Sequence, residues 1–498
     1  MSVKQNEITD WIQNRIKRDE IDKYRDHEDS FIDDKLIHGV LGGSKNPDKK
    51  LINDILQKSL SVETLSLNET SALLNVSDPE TLTLMEETAK KIKQKVYDNR
   101  IVTFAPLYMG NLCVNNCLYC GFRTGNPSAD RKVLTMDEVK KETEMLAGKI
   151  GHKRLIVVYG EHPYTGADYI RKTLENIYSV KVKTKNGYGQ IRRANVNAAP
   201  MQINELKMLK EVGIGTYQVF QETYHKGTYG KVHPEGTLKS DYNWRLYCMH
   251  RALEAGVDDV GLGVLFGLYD WRFEVMGLVA HSLELEKKFN IGAHTISFPR
   301  IEPASNAPFS EKTKYEVSDE DFKRIIVTLR LAVPHTGMII TAREDRQLRD
   351  QTIHLGCTQT DASTKIGIGA YSADKDTQAI NKQQFMLGDT RTLDELVFDL
   401  TKMGYITSFC TAGYRCGRTG ECILELLKSG QEGKFCKLNA ILTFREWLDD
   451  FASFKTKQAG EMLIEKEIAE VKHKIPSAYK TLVEYYGRIE KGERDLYF

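Results

Sequence analysis

The stretch VTFAPLYMGNLCVNNCLYCGF, residues 102–122, decides the fold. A short run rich in β-forming residues ends at Gly110 and opens into a polar loop with cysteines at 113, 117 and 120. Seven similar runs follow: RLIVVYG (154–160), RRANVNAAP (192–200), TYQVFQET (216–223), DDVGLGVLFG (258–267), HTISFPRIEP (294–303), GMIITAR (337–343) and KIGIGAYS (365–372). Between them lie amphipathic stretches with helix-start signals, Thr135 ahead of Glu138 and Ser318 ahead of Asp321. Strand, helix, strand at this pitch implies parallel pairing, and eight units in about 270 residues predict an α/β fold, a closed (β/α)8 TIM barrel over 101–380.

On either side the periodicity changes. NEITDWIQNRIKR and DPETLTLMEETAKKIKQKVYDNR space their apolar residues at three and four, so residues 1–100 read as a helical segment. Beyond about 380 the strands are expected to stop. RTLDELVFDLTKMGY, TGECILELLKSG, TFREWLDDFASFK and AYKTLVEYYGRIEKGE predict a helical domain over 381–498, at the mouth or the bottom of the barrel. Thr392/Glu395 and Thr443/Glu446 are its candidate capping boxes.

The 498 residues carry 70 Lys+Arg against 69 Asp+Glu, which removes the composition argument for nucleic acid as a partner. At 41% hydrophobic and 28% charged, the chain can bury a large core. No run approaches the roughly 20 apolar residues of a membrane span, and the polar start MSVKQNEITD lacks a signal-peptide core. A soluble, cytoplasmic protein is expected. Nine cysteines is an odd number, and seven fall into two groups, 113/117/120 and 410/416/422/436. In a reducing compartment such clusters suit metal or redox chemistry better than a disulfide framework. Cys248 and Cys357 read as small buried hydrophobes.

Cys113, Cys117 and Cys120, in CxxxCxxC spacing after the first strand, sit where barrel enzymes carry their catalytic loops. Three thiolates can hold three irons of a [4Fe–4S] cluster and leave the fourth open, whereas structural zinc would want a fourth closed ligand. Other strand ends are also polar: Asn195 and Asn197, Gln221 and Glu222, Ser297 and Arg300, Thr341 and Arg343. Strands buried on both faces should be nearly all apolar, so these groups fit a ring around the barrel mouth, with caps and ion pairs as the alternative.

GNLCVNNCLYCGF resembles the radical S-adenosylmethionine (SAM) superfamily, in which the open iron chelates SAM and one electron releases a 5′-deoxyadenosyl radical. The resemblance implies that Tyr119 lies against the adenine, and that Gly160 and Glu161 hold the SAM amino group. Asn197 and Glu222 are further candidate SAM contacts. YQVFQETYH, GLGVLFGLYDWRFE, HTISFPRIEPA, TAREDRQLRD, GRTGE and CKLNAILTFREWLDDFA resemble the tyrosine lyases, the family of the HydG-type [FeFe]-hydrogenase maturases and thiamine-pathway 2-iminoacetate synthase. That likeness implies cleavage of the Cα–Cβ bond of L-tyrosine to p-cresol and dehydroglycine. It also implies an electron donor such as ferredoxin or flavodoxin and, for the maturase type, hydrogenase maturation partners and CO and cyanide as products. The family's Ser-x-Arg-Glu segment matches Thr341-Ala342-Arg343-Glu344, which assigns the substrate carboxylate to Thr341 and Arg343. A tryptophan lyase, a sulfur-inserting synthase or a non-catalytic iron–sulfur scaffold are the alternatives.

The maturase pattern also implies a second, auxiliary cluster held by CxxC and a third cysteine 23 positions on. Here Cys410 and Cys436 keep their places, but Gly413 stands where the middle ligand would be. Cys416 or Cys422 could substitute, giving a rearranged cluster; otherwise no second cluster forms. His281, in LVAHSLELE, is a candidate ligand for an extra iron there, with a helix-face core or surface histidine as the alternative.

Overall fold

The computed structural model describes residues 5–25, 30–43, 45, 47–373, 383–428 and 432–498. Eight parallel strands close into a barrel: β1 (Arg100–Gly110), β2 (Arg154–Tyr159), β3 (Arg193–Asn197), β4 (Tyr217–Gln218), β5 (Val260–Gly263), β6 (Thr295–Ser297), β7 (Gly337–Ile340) and β8 (Gln359–Asp361). Neighbours in sequence pair throughout, and β8 returns to β1 with Val102 opposite Gln359. The helix starts form as expected. Thr135 and Thr392 make full capping boxes with Glu138 and Glu395, and the Ser318 hydroxyl accepts from the Asp321 amide.

Two strand expectations need correction. The eighth strand is Gln359–Asp361, not the apolar run at 365–372. It is polar because its side chains have partners in the barrel wall. The Thr360 hydroxyl donates to the Ile340 carbonyl (2.9 Å), Asp361 accepts from the Ala342 amide (2.8 Å), and Arg349 donates to the Asp361 carbonyl (2.6 Å). The run at 365–372 is a loop tied back through Tyr371, whose hydroxyl donates to the Pro106 carbonyl (2.9 Å). Strands also continue past 380: β9 (Ile406–Ser408) pairs in parallel with Arg100–Val102, the first residues of β1.

β9 fixes which end of the barrel the last hundred residues occupy. The helices Glu432–Asp450 and Phe454–Lys474 pack against it, and Pro476–Glu490 packs on both, at the N-terminal ends of the barrel strands. Thr443 and Glu446 lie inside the first of these helices and cap nothing. The Thr443 hydroxyl bonds back to the Asn439 carbonyl. Glu446 is buried and accepts from Lys153, Arg192 (2.8 Å) and the Asp495 amide (2.6 Å), tying the helix to the residues just before β2 and β3. At the other flank, the helices Asp34–Gly43, Leu67–Leu74 and Pro79–Tyr97 pack on the outer barrel helices Trp271–Phe289 and Asp319–Ala332.

Inside the barrel, Phe104, Ile156 and Ile339 form an apolar layer with Val158 beside it. Residues two positions earlier on the same strands, Val102, Arg154 and Gly337, line a cavity below it; two positions later, Pro106, Val158 and Thr341 line a cavity above. The period of two in a strand thus gives one barrel two separate chambers.

Burial would raise the Glu446 carboxyl, but Arg192 and Lys153 hold it down at about 2. A depressed carboxyl stabilises the fold above its unfolded value and loses that contribution as pH falls through its folded one. Glu446→Ala should therefore cost about 3–5 kcal/mol in denaturant unfolding at pH 7, by leaving buried Lys153 without its ion-pair partner and Arg192 with Asp495 alone. The gap between Glu446→Gln and wild type should shrink between about pH 4.5 and 2.

Candidate active site at the barrel mouth

The upper cavity, about 240 Å³, opens at the C-terminal ends of the strands. The structure brings to it the residues expected to hold a cluster, SAM and substrate: Cys113, Cys117 and Cys120, then Tyr119, Gly160 and Glu161, then Asn197, Glu222, Thr341 and Arg343. Of the other polar strand ends Ser297 also lines it, whereas Asn195, Gln221 and Arg300 do not. The cysteine loop is pinned by backbone bonds. The Leu118 amide donates to the Val232 carbonyl (3.0 Å), its carbonyl accepts from the Phe309 amide (3.0 Å), and Arg131 donates to the carbonyls of Asn111 and Phe122.

Asn115 Nδ2 lies 3.7 Å from Cys113 Sγ, while Cys120 Sγ receives the Phe122 amide (3.4 Å) and Gln384 Nε2 (3.6 Å). Donors aimed at sulfur stabilise thiolate charge. Burial nevertheless pushes the Cys113 thiol up and the Cys117 thiol to about 12, so in the absence of a metal they keep their protons. Among the described residues no three His, Cys, Asp or Glu side chains converge on a point that could hold one ion. A cubane asks for less, because each thiolate serves its own iron.

Gly160 sits where β2 meets this loop. Its amide donates to the Gly110 carbonyl (2.9 Å), and a Cβ built on it would stand 2.2 Å from the Leu112 carbonyl oxygen. Only a residue without a side chain permits that approach. The next residue, Glu161, accepts from Asn115 Nδ2 (2.6 Å) through one oxygen, and its carbonyl accepts from the Val114 amide (2.8 Å). Its other oxygen is buried and has no partner. An unpaired buried carboxylate oxygen beside three thiols fits an ammonium ligand, so these residues suit a SAM-bound [4Fe–4S] cluster.

Glu222 holds a positive φ of 71°, a strained position for a side-chain-bearing residue. Lys239 donates to its carboxylate at 2.7 Å, and Arg245 stands 3.5 Å away. Burial alone would raise the carboxyl; Lys239 and Arg245 outweigh it and hold Glu222 ionised. The Tyr119 hydroxyl meets His233 Nε2 (2.8 Å), and His233 Nδ1 faces the Tyr229 carbonyl (3.0 Å). Burial keeps that imidazole neutral, so Nδ1 donates and Nε2 accepts from Tyr119. Arg343 lies 3.3 Å from the ring centre of Phe385 and, among the described residues, makes no hydrogen bond. Its neighbour Glu344 instead pairs with Arg300, which also holds Asp319 (2.9 Å), so these two strand-end residues are structural.

Several cavity residues carried no motif. Lys239 and Arg245 come from the connection after β4, and Gln384 and Phe385 from beyond β8. Tyr108 could have been read: Phe104, Pro106 and Tyr108 alternate along β1, and all three face the cavity.

The lower cavity holds Cys410 and Cys436 with Gly413, alongside Arg154, Arg418 and His294. Cys416 and Cys422 are exposed and do not line it, contrary to their expected role as substitute ligands. His281 does not line it either. It lies 3% exposed in the helix Trp271–Phe289, bonded through Nδ1 to the Tyr224 hydroxyl (2.9 Å) and packed on Phe31 and His250. Among the described residues His294, which faces Asp259 at 3.5 Å, is the histidine that lines this chamber, and its place just before β6 is the signal that marks it. Two thiols with a glycine in the third place do not complete a three-thiolate site. A Cβ at position 413 would meet only the Arg418 carbonyl oxygen, at 3.5 Å.

Comparisons with known proteins agree with this geometry. The Radical SAM superfamily model matches residues 107–276, and the Biotin and Thiamin Synthesis associated domain matches 297–406. The chain is 30% identical to 2-iminoacetate synthase of Escherichia coli (strain K12) over 354 residues, 70% of this chain and 88% of that protein. Among solved structures it is similar to HydG, a maturase of the [FeFe]-hydrogenase, with TM-score 0.88 and 45% identity over 94% of this chain and all of that one. HydG from Carboxydothermus hydrogenoformans gives 0.75 and 33%, with the same coverage.

Gly160→Ala should force β2 and the cysteine loop apart. After anaerobic reconstitution, the variant should keep the wild-type far-UV circular dichroism but lose most of its bound iron and at least about tenfold in SAM cleavage.

Proposed function

Because the chain belongs to the radical SAM family that includes the [FeFe]-hydrogenase maturase HydG and 2-iminoacetate synthase, we propose that it cleaves the Cα–Cβ bond of L-tyrosine to p-cresol and dehydroglycine. The observation that carries this is Arg343, a half-buried guanidinium at the cavity wall with a ring on one face and no anion of its own. Bound to Cys113, Cys117 and Cys120, a [4Fe–4S] cluster with SAM supplies a 5′-deoxyadenosyl radical.

The chain's own residues orient and protect. Glu161 takes the SAM amino group on its unpaired oxygen, and Tyr119 offers a ring fixed by His233 for the adenine. Glu222, kept charged by Lys239, and Asn197 face the rest of SAM. Arg343 and the Thr341 hydroxyl receive the amino acid carboxylate, with bidentate geometry setting the substrate's orientation. The Phe104/Ile156/Ile339 layer closes the chamber from below and excludes water from a reactive radical. A low-potential donor such as ferredoxin or flavodoxin would supply the electron. No described helix is long and apolar enough to cross a membrane.

The similarity to HydG favours a second reading, that the dehydroglycine fragment goes on to CO and cyanide for hydrogenase maturation. It needs a cluster in the lower chamber, where the described residues supply two thiols. Reconstituted wild type and a Cys410→Ala/Cys436→Ala variant should both bind about four irons per chain if the chemistry ends at dehydroglycine; about eight against four would establish the second reading.

The primary test supplies reductant, SAM and L-tyrosine. Equal amounts of 5′-deoxyadenosine and p-cresol are expected by mass spectrometry. SAM cleavage without p-cresol would move the substrate to another amino acid. Arg343→Lys should lower kcat/KM for tyrosine about 100-fold, in keeping with a lost bidentate pair, while SAM cleavage without substrate turnover continues.

A further inference from the structure

Among the described residues four carboxylates line the upper cavity, and three are already engaged. Asp361 accepts from the Ala342 amide (2.8 Å) and the Thr364 hydroxyl (2.6 Å). Glu222 belongs to Lys239, and Glu161 accepts from Asn115 while keeping one oxygen for the SAM amino group. The fourth, Glu302, makes no hydrogen bond or ion pair among the described residues, although it is half-buried. Its backbone is held firmly on both sides: the Ile301 amide donates to the Phe266 carbonyl (2.8 Å), and the Pro303 carbonyl accepts from the Met386 amide (3.3 Å).

Glu302 follows β6 and Arg343 follows β7, the adjacent strand. Their charges act on each other, yet they form no ion pair. Burial, with Glu344 adding to it, raises the Glu302 carboxyl, against Arg343 and Arg300. Among the described residues the wall therefore presents one cation and one anion, each short of a partner, facing one cavity. Opposite charges held apart at the edge of a low-dielectric chamber cost stability unless a ligand bridges them, and an amino acid zwitterion carries both complements on one carbon.

We propose that Glu302 receives the ammonium group of the amino acid whose carboxylate Arg343 binds, so that the site selects α-amino acids over their des-amino counterparts. This rests on the amino-acid lyase reading above. It gives the chain a residue that fixes the substrate nitrogen as well as its carboxylate, and so fixes which hydrogen faces the radical.

The test measures binding without reductant, so that no turnover occurs. Full-length reconstituted protein with SAM is dialysed against L-tyrosine or 3-(4-hydroxyphenyl)propanoate, for wild type, Glu302→Gln and Glu302→Asp. Wild type should bind tyrosine at least about tenfold tighter, the worth of a charge-assisted contact. Glu302→Gln should weaken tyrosine alone, bringing the two ligands within about twofold. Glu302→Asp should restore part of the preference, and SAM affinity should stay at the wild-type level in both variants. Unchanged tyrosine binding in Glu302→Gln overturns the proposal; so does an equal loss of both ligands, or a loss of SAM binding, which would place Glu302 against SAM. Wild type that binds neither ligand would instead sink the amino-acid reading, and this assignment with it.

Discussion

The close approach of Gly160 to the Leu112 carbonyl is the constraint on which the site depends. A methyl group at position 160 would stand 2.2 Å from that oxygen, so β2 can end against the cysteine loop only because nothing projects there. From that contact the rest follows. The Val114 amide reaches the Glu161 carbonyl, Asn115 reaches the Glu161 carboxylate and lies beside Cys113 Sγ, and one carboxylate oxygen is left buried and unpaired next to the thiols. A carboxylate with a free oxygen and a loop of three cysteines thus become one site, through a single glycine in the strand–loop junction.

The two chambers differ in how their charges are arranged. Above the Phe104/Ile156/Ile339 layer, Lys239, Arg245 and Arg343 face Glu161, Glu222 and Glu302, and only some of these are paired. Unpaired ionic groups in a cavity mark places for ligands more than sources of stability. Below the layer, Arg154 gives a hydrogen bond to the Cys410 carbonyl (3.0 Å), and the thiols of Cys410 and Cys436 share the chamber with His294 and Asp259. At this end Glu446 ties the C-terminal helices to the strand starts with two cations on one carboxylate.

Seven of the eight barrel strands, the capping boxes at Thr135 and Thr392 and the whole CxxxCxxC neighbourhood were legible, because apolar alternation and side-chain caps are local signals. The eighth strand was not. Gln359, Thr360 and Asp361 are polar in isolation and become strand only when Arg349 and the β7 backbone satisfy them. β9 is three residues long, and nothing in Ile-Thr-Ser announces that the start of β1 is waiting for it. Tertiary satisfaction of polar groups is invisible to periodicity. The same blindness hid Lys239, Arg245 and Glu302, which acquire meaning only from what the barrel closes around. It also misplaced His281, whose helix turns it into the packing beneath Phe31 and not into the chamber of Cys410 and Cys436.

The measurement that bears most directly on the site is pulsed EPR of the reduced, reconstituted protein with SAM labelled by 15N at its amino group. A resolved 15N hyperfine coupling to a [4Fe–4S] signal, lost in Cys117→Ala and weakened in Glu161→Gln, is the expected result: the loop then holds an open iron, and Glu161 positions the SAM amino group beside it. A cluster signal with no 15N coupling at saturating SAM would contradict the assignment of the Gly160–Glu161 junction as the place where SAM is held.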